Sequence, residues 1–499
     1  MSRGERTLQQ SWPTGTAEAL DALVPRDDIV EEVPASTNGS SATFTQHEGP
    51  FTTYERRIVT TAATVTQTIR YRIVIPWFGW LFALPLRNTL RHRPPQDSRP
   101  WWSPPDRLSP RHVATLGLLA AASMSAAFTN TLFTQTASFA ADGFGIDERG
   151  QGLGGVVVRL GVVIAIPFAT LADRRGRRLM IVVTAWVAPL WCAVGAIAPN
   201  FWVLVGTQAI GRPVGLALAL LIGVVATEEM PRNSRAYALS VLALAGGLGA
   251  GVAVIALRLA DLGTDGWRLV YLLSLIWLLP AYHLMRRLPE TVRFQRRHPT
   301  SPRLDRRRFA VIAIVAVTAN LFVAPASFFL NRYLDDVRGY TGGGIALFTL
   351  STATPASLGL IAGGRLADLI GRRAVLAVCL PLSTALLVGS FTFGGPGMWL
   401  LALGGGMLGG AAYPAFTVYR TELFPTGNRG RANGLITALS LAGSSVGLVV
   451  VGGLVHRGWS YGHSMFLVGF GQLLAAVIAY VAYPETAHLE LEQINPQDA

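Results

Sequence analysis

The 499-residue chain has no lysine: all 42 of its basic charges are arginine. Charged residues of every kind make up only 14%, against about a quarter in an average soluble domain. With 51% hydrophobic residues and a mean hydropathy of +0.40, that shortage excludes an ordinary soluble protein. Without lysine there is no Gly-x-x-x-x-Gly-Lys loop to cradle a phosphate, so neither an ATP-driven step nor an enzyme is indicated. Cysteine is scarce too. Cys192 and Cys379 both fall in apolar stretches, which provides no disulfide framework. The histidines are scattered without ligand spacing, so no metal and no other cofactor is implied. A net charge of +13 would suit nucleic acid in a soluble protein. Here the arginines cluster in loops between apolar runs, the pattern that orients a membrane protein, and no nucleic-acid partner is implied.

What is present repeats. Leu171 to Arg178 reads Leu-Ala-Asp-Arg-Arg-Gly-Arg-Arg, and Leu366 to Arg373 reads Leu-Ala-Asp-Leu-Ile-Gly-Arg-Arg. Their aspartates, Asp173 and Asp368, are 195 residues apart, and Pro289-Glu290-Thr291 repeats as Pro484-Glu485-Thr486 at the same offset. Thr227-Glu228 with Pro231 and Arg235 repeats, one residue out of step, as Thr421-Glu422 with Pro425 and Arg429. Three polar landmarks recurring in order within an apolar chain indicate a duplicated membrane half, not a solenoid.

Twelve apolar spans can be drawn, at about 113–141, 152–172, 179–198, 201–226, 236–260, 268–285, 309–331, 343–364, 374–393, 398–419, 432–455 and 464–483. The predicted fold class is an all-α membrane protein of twelve transmembrane helices in two six-helix repeats, with a cytoplasmic N-terminal extension. Residues 1–55 are polar and read as a disordered cytoplasmic tail. Residues 56–110 read as an interfacial segment and proline-rich linker. Within them the 14-residue run from Ile73 to Leu86 is too short to span, and its tryptophans and flanking arginines suit the membrane surface. The N-terminal half is 111–285, a cytoplasmic linker 286–308, the C-terminal half 309–485 and a cytoplasmic tail 486–499. The linker alone carries nine arginines, so both termini are expected inside, in a multi-pass protein of the plasma (cytoplasmic) membrane.

These motifs resemble the major facilitator superfamily, over about residues 110 to 495. The octets are similar to its loop signature Gly-x-Leu-Ala-Asp-Arg-x-Gly-Arg-Arg. Ala169 replaces the first glycine in one copy, which would limit the approach of spans 2 and 11. Gly364 is present in the other copy, and Leu369 replaces its arginine. Pro289-Glu290-Thr291-Val292-Arg293, Glu422-Leu423-Phe424-Pro425-Thr426 and the C-terminal Pro484-Glu485-Thr486 look like those of the sugar porters and their organic-ion relatives. Two sugar-porter features are missing: span 7 has no Gln-Gln-x-Ser-Gly, and span 1 has no aspartate. The resemblance implies an inner gate. Its parts are Asp173, Arg174, Gly176, Arg177, Arg178, Glu228 and Arg235 in one half. Gly364, Asp368, Gly371, Arg372, Arg373, Glu422 and Arg429 are the parts in the other. The alternative is that these charges only anchor topology.

No Asp or Glu falls inside a span, but Arg159 and Arg212 do, and an intramembrane charge is a functional hypothesis by default. Arg212 lies in Gly211-Arg212-Pro213-Val214-Gly215, which resembles the family's helix-4 Arg-x-x-x-Gly motif with the glycine one residue early. Arg159 could instead snorkel to the outer surface, and Arg212 could serve a buried structural pair. Asn130, Thr134 and Gln135 of span 1, Asn320 and Asn331 of span 7 and Tyr413 of span 10 are further substrate contacts, on spans that the resemblance implies line the central path. Interhelical hydrogen bonding is their alternative role. The glycines of span 5, Gly246 to Gly251, read as packing against span 8. A cavity positive from arginine favours an organic anion such as a carboxylate or aromatic acid, moved by a monomeric secondary active or facilitative carrier. With no carboxylate inside the spans and arginine unable to release its proton, no proton site is obvious; protons remain an open partner and symport an open mode. A sugar or polyol carrier, a drug or organic-cation exporter and a nontransporting sensor are the alternatives.

Overall fold

The computed structural model describes residues 5–94, 98–146, 150, 153–155, 157–158, 161–295, 304–340 and 342–496. They form two units, Met1–Leu119 and Ala120–Ala499.

The first unit is built on a sheet, not on helices, which corrects the all-α expectation. Strands β1 (Arg6–Pro13), β2 (Glu31–Asn38), β3 (Ser41–Glu48), β4 (Phe51–Thr60) and β5 (Thr64–Ile73) are antiparallel in the order β1-β5-β4-β3-β2. Helix α1 (Ala17–Leu23) joins β1 to β2, and α2 (Ala83–Arg91) follows β5. The disorder expected for residues 1–55 is overturned with it. Alternate residues of β4 and β5 point to one buried face: Tyr54, Arg56 and Ile58, and Val65, Gln67, Ile69 and Tyr71. Leu86 and Leu90 of α2 cover Phe51, Tyr54, Ile69 and Tyr71, while Ala19 of α1 meets Phe44, Ile58 and Val65. In the middle of this core Arg56 is fully paired. Its guanidinium lies 2.5 Å from Glu32 and donates to the carbonyls of Ala22 (2.6 Å) and Val24 (2.9 Å), while the Tyr54 hydroxyl donates to Glu32 at 2.6 Å. A buried charge persists only with this degree of satisfaction.

The second unit is helical. Ten helices among the described residues are long and apolar enough to cross a membrane; the first of them begins in the first unit. The elements used below are α3 (Pro110–Gly143), α4 (Ala165–Arg175), α5 (Arg177–Val194), α6 (Phe201–Glu229), α7 (Arg235–Ile255), α8 (Arg306–Phe328), α9 (Gly342–Ile370), α10 (Arg372–Ser390), α11 (Gly395–Glu422), α12 (Arg429–His456) and α13 (Tyr461–Ala482). The predicted span 8 coincides with α9, and the end of predicted span 2 with α4; neither helix is among the ten. Side-chain caps start several helices: Asn200 accepts from the Val203 amide, and Ser460 from that of His463. Pro189, Pro213, Pro325, Pro355, Pro381 and Pro414 sit inside helices, as a bundle in lipid tolerates. Ile197, Leu400, Val449 and Val481 are 69–76% exposed, an apolar exterior that suits hydrocarbon and not water.

Helix contacts run through glycine. The carbonyl of Met124 in α3 occupies the place a side chain at Gly249 would need, and Gly246 faces Ser123. The span 5 glycines therefore admit span 1; among them, Gly247 and Gly251 face open space, which corrects the expected packing against span 8. The substitution of Ala169 is compensated by its partner. Gly430 and Gly434 of α12 lie against Ala169, whereas Gly364 of α9 lies against Ala236 and Ser240 of α7. Both seams approach closely.

Candidate functional site

The repeated motifs meet at one end of the helical unit, where two equivalent seams join its halves. In the first, the Asp173 carboxylate at the end of α4 accepts from the backbone amides of Gly430 (3.1 Å) and Arg431 (2.8 Å), at the N-terminus of α12. In the second, Asp368 near the end of α9 accepts from the amides of Ala236 (3.3 Å) and Tyr237 (2.9 Å), at the N-terminus of α7. A carboxylate in that place satisfies amides the helix cannot, and faces the positive end of its dipole.

Arginines tie each aspartate to a buried glutamate. Arg177 lies 3.2 Å from both Asp173 and Glu228, and Arg372 lies 3.1 Å from Asp368 and 2.8 Å from Glu422. Each glutamate then meets an arginine of the opposite half: Glu228 to Arg429 at 2.7 Å and Glu422 to Arg235 at 3.2 Å. The hydroxyls of Thr227 and Thr421 meet between them at 2.8 Å, and Arg177 also donates to the Thr426 carbonyl. Glu228, Arg235, Arg372, Glu422 and Arg429 are at most 1% exposed.

The octet glycines have a steric role. Gly176 and Gly371 adopt φ of 111° and 108°, which few residues other than glycine tolerate. They end α4 and α9 so that α5 and α10 begin at once, with Glu290 accepting from the amides of Arg177 and Arg178, and Glu485 from those of Arg372 and Arg373. A side chain at either glycine would strike that glutamate. Arg178 and Arg373 donate to the carbonyls of Met285 and Tyr480, while Arg174 is exposed.

Behind this closed end lies a cavity of about 960 Å³ between the halves. Leu239 and Leu242 of α7 lie on one side; Thr354 and Ser357 of α9 and Asn433 and Thr437 of α12 lie on the other. From α11 come Tyr413, Thr417, Arg420 and Thr421. Arg420 stacks on Phe416, 4.6 Å from the ring centroid, and its buried Nε has no hydrogen-bond partner. Among the described residues no carboxylate forms an ion pair with it, although Glu422 is two positions away and engaged by Arg235 and Arg372. Arginine stays charged, so this end of the cavity is positive.

Residues 118–355 and 344–497 match the sequence model of the Major Facilitator Superfamily. The chain belongs to this superfamily. It is thus a multi-pass membrane transporter of a small solute and not an enzyme. The helical part resembles the proton:xylose symporter XylE bound to 6-bromo-6-deoxy-D-glucose (TM-score 0.67, 16% identity, 78% of this chain and 99% of that one). It also resembles the fucose transporter FucP in its outward conformation (0.63, 17%, 74% and 98%) and the human organic anion transporter MFSD10 (0.61, 15%, 74% and 99%). At these identities the likeness is one of fold. A Caenorhabditis elegans protein provisionally named a transporter is 32% identical over 122 residues, 24% of this chain but only 20% of that relative's length.

Within this superfamily fold, Tyr413 is the one described residue of those expected to touch substrate that lines the cavity. Arg212 is half-buried in α6 and outside the cavity lining. Asn130 donates to the Ala126 carbonyl and Asn320 to that of Ala316, each within its own helix, and the Ser444 hydroxyl reaches Asn320. Thr134 is exposed and Gln135 half-buried in α3. Arg159 and the Asn331 side chain lie outside the described residues. Arg420 was missed because it follows the predicted span end at 419 and so counted as a loop charge. Its signal was spacing: Tyr413, Thr417 and Arg420 recur at i, i+4 and i+7, one polar stripe on a helix that runs on to Glu422.

Proposed function

We propose that the chain carries a small organic anion, a carboxylate or aromatic acid, across the cytoplasmic membrane as a monomeric secondary active or facilitative carrier. Twelve spans in two halves rock about the central cavity, with both termini and the motif seams on the cytoplasmic side. The observation that supports an anion is Arg420, a half-buried cation in the cavity that has no ion pair among the described residues. A carboxylate would supply it through a charged hydrogen bond, strengthened by the aromatic surface of Phe416 beneath the guanidinium. Tyr413 and Thr417 on the same stripe would position the remainder of the solute. Arg212, Asn130, Thr134, Gln135 and Asn320 keep a role in a state where the cavity opens differently. The seams support alternating access, because they join the halves through discrete contacts that can part together. A sugar or polyol is the second reading, favoured by the hydroxyl and amide groups of Thr354, Ser357, Asn433 and Thr437.

The test is uptake into proteoliposomes of one aromatic carboxylate and one neutral pentose, by wild type and by Arg420→Lys and Arg420→Gln. On the anion reading the carboxylate is carried, Lys weakens its affinity, and Gln weakens it by about tenfold to a hundredfold, the value of a lost charged hydrogen bond. Uptake of the pentose alone, or a Gln variant as tight for the carboxylate as wild type, overturns it.

A further inference from the structure

We infer that the first unit docks on an anionic phospholipid surface through the loop from Pro76 to Leu84, a function beyond transport itself.

The loop leaves β5 and enters α2, and it leaves four large apolar residues exposed. Trp80 is 71% exposed and Leu84 74%; Trp77 and Leu81 are 41% and 44% exposed. Four large apolar side chains within eight residues are a patch, not scattered exposure. Trp77 holds a φ of 64°, a left-handed backbone that a bulky residue adopts only at a cost. Exposed arginines flank the patch: Arg70 and Arg72 at the end of β5, and Arg87 and Arg91 on the outer side of α2, opposite the buried Leu86 and Leu90.

The position of the loop selects its occupant. Pro76 lies against Gly117, close enough that a side chain at Gly117 would strike its ring. Gly117 belongs to α3, whose residues Pro110–Ala137 form the first candidate span. Seven residues into that helix is about 10 Å from its start, the depth of the headgroup region. The tryptophans are therefore presented beside the entry of a membrane helix, where amphipathic rings settle, and the arginines face the phosphates. A soluble protein partner would not need the patch at that level. Anionic lipid does, and each arginine near such a surface changes partitioning by about fivefold.

The full chain tests this in vesicles of phosphatidylcholine, alone and mixed equally with phosphatidylglycerol. With Cys192 and Cys379 replaced by serine, a nitroxide is placed at Leu84→Cys, and at Thr53→Cys on the exposed side of β4 as reference. Collision with oxygen against a polar nickel reagent reports depth. The label at 84 is expected in the lipid interface and deeper with phosphatidylglycerol, while that at 53 stays aqueous. Trp80→Ala, or Arg87→Glu with Arg91→Glu, should return the label at 84 to water. Should the labelled variants fold poorly, amide exchange over residues 76–84 of wild type replaces them, with slowing expected in the anionic vesicles. A label at 84 as aqueous as that at 53, shielded from both reagents as in a protein contact, or indifferent to Arg87→Glu and Arg91→Glu, overturns the inference, as does exchange unchanged by lipid charge.

Discussion

Glu228→Gln isolates one joint of the proposed gate. In the closed state Glu228 accepts from Arg429 of the opposite half at 2.7 Å, from Arg177 at 3.2 Å and from the Thr291 hydroxyl at 2.8 Å. The glutamine keeps the shape and one acceptor oxygen but removes the charge that the buried Arg429 pairs with across the seam. Breaking a buried ion pair from one side costs about 3–5 kcal/mol. When the halves part, water reaches Arg429 and the penalty vanishes. The cost thus falls on the closed state alone and shifts the equilibrium towards opening by about a hundredfold to a few thousandfold. Spin labels at the exposed Arg175 and Arg431, on facing sides of the first seam, read this by pulsed dipolar spectroscopy. Wild type should give a dominant short distance, and Glu228→Gln a longer one. Glu422→Gln, its repeat equivalent between Arg235 and Arg372, should do the same. A folded Glu228→Gln protein with an unchanged distance distribution would show that the pair only anchors the helices.

Asp173→Asn should slow transport severely while the protein stays folded and inserted; wild-type flux would reduce the octet to a topology anchor. Gly430→Ala should open the same seam, because its methyl would lie 2.8 Å from the Ala169 carbonyl and 3.0 Å from the Asp173 carboxylate, an overpacking of about 1–3 kcal/mol. Gly434→Ala, whose methyl would meet Ala169 at an ordinary 3.5 Å, should leave the spin-label distances unchanged. In the sheet unit, burial first and then the Glu32 carboxylate push the Tyr54 phenol well above its ordinary value. The folded unit therefore keeps a proton that the unfolded chain loses near pH ~10, so stability present below that pH declines as pH rises beyond it. Proteolysis within residues 5–94 should accelerate there, and Tyr54→Phe should remove that part of the pH dependence while lowering stability at neutral pH by about 1–3 kcal/mol.

The seams were legible because their residues are polar islands in apolar sequence and occur twice. Asp173 and Asp368, or Glu228 and Glu422, need no structure to be matched. The cavity was not, because hydropathy locates a helix along its axis but not its rotation about that axis. Asn130 and Asn320 satisfy themselves against their own helices, and Arg420 lay one residue past a span boundary. The sheet was hidden for a different reason. Arg56 and Gln67 point inward among Tyr54, Ile58, Val65 and Ile69, so the alternation of apolar residues breaks where the core is most buried. Arg56 is neutralised by Glu32, 24 residues away, a pairing that no local pattern announces.

The seams have a consequence for how the protein changes state. Ser234 and Asn428 stand at the N-cap positions of α7 and α12, and both are good capping residues, yet neither side chain caps its own helix here. Asp368 and Asp173 do that work from the opposite halves. Each helix thus takes its first-turn acceptor from across the seam. On the proposed opening the borrowed carboxylate leaves, and a turn of Ser234 or Asn428 from its present contacts onto its own helix would recover about 1 kcal/mol per helix. Opening then trades one set of caps for another in place of exposing bare helix ends, which brings the two states within reach of thermal exchange.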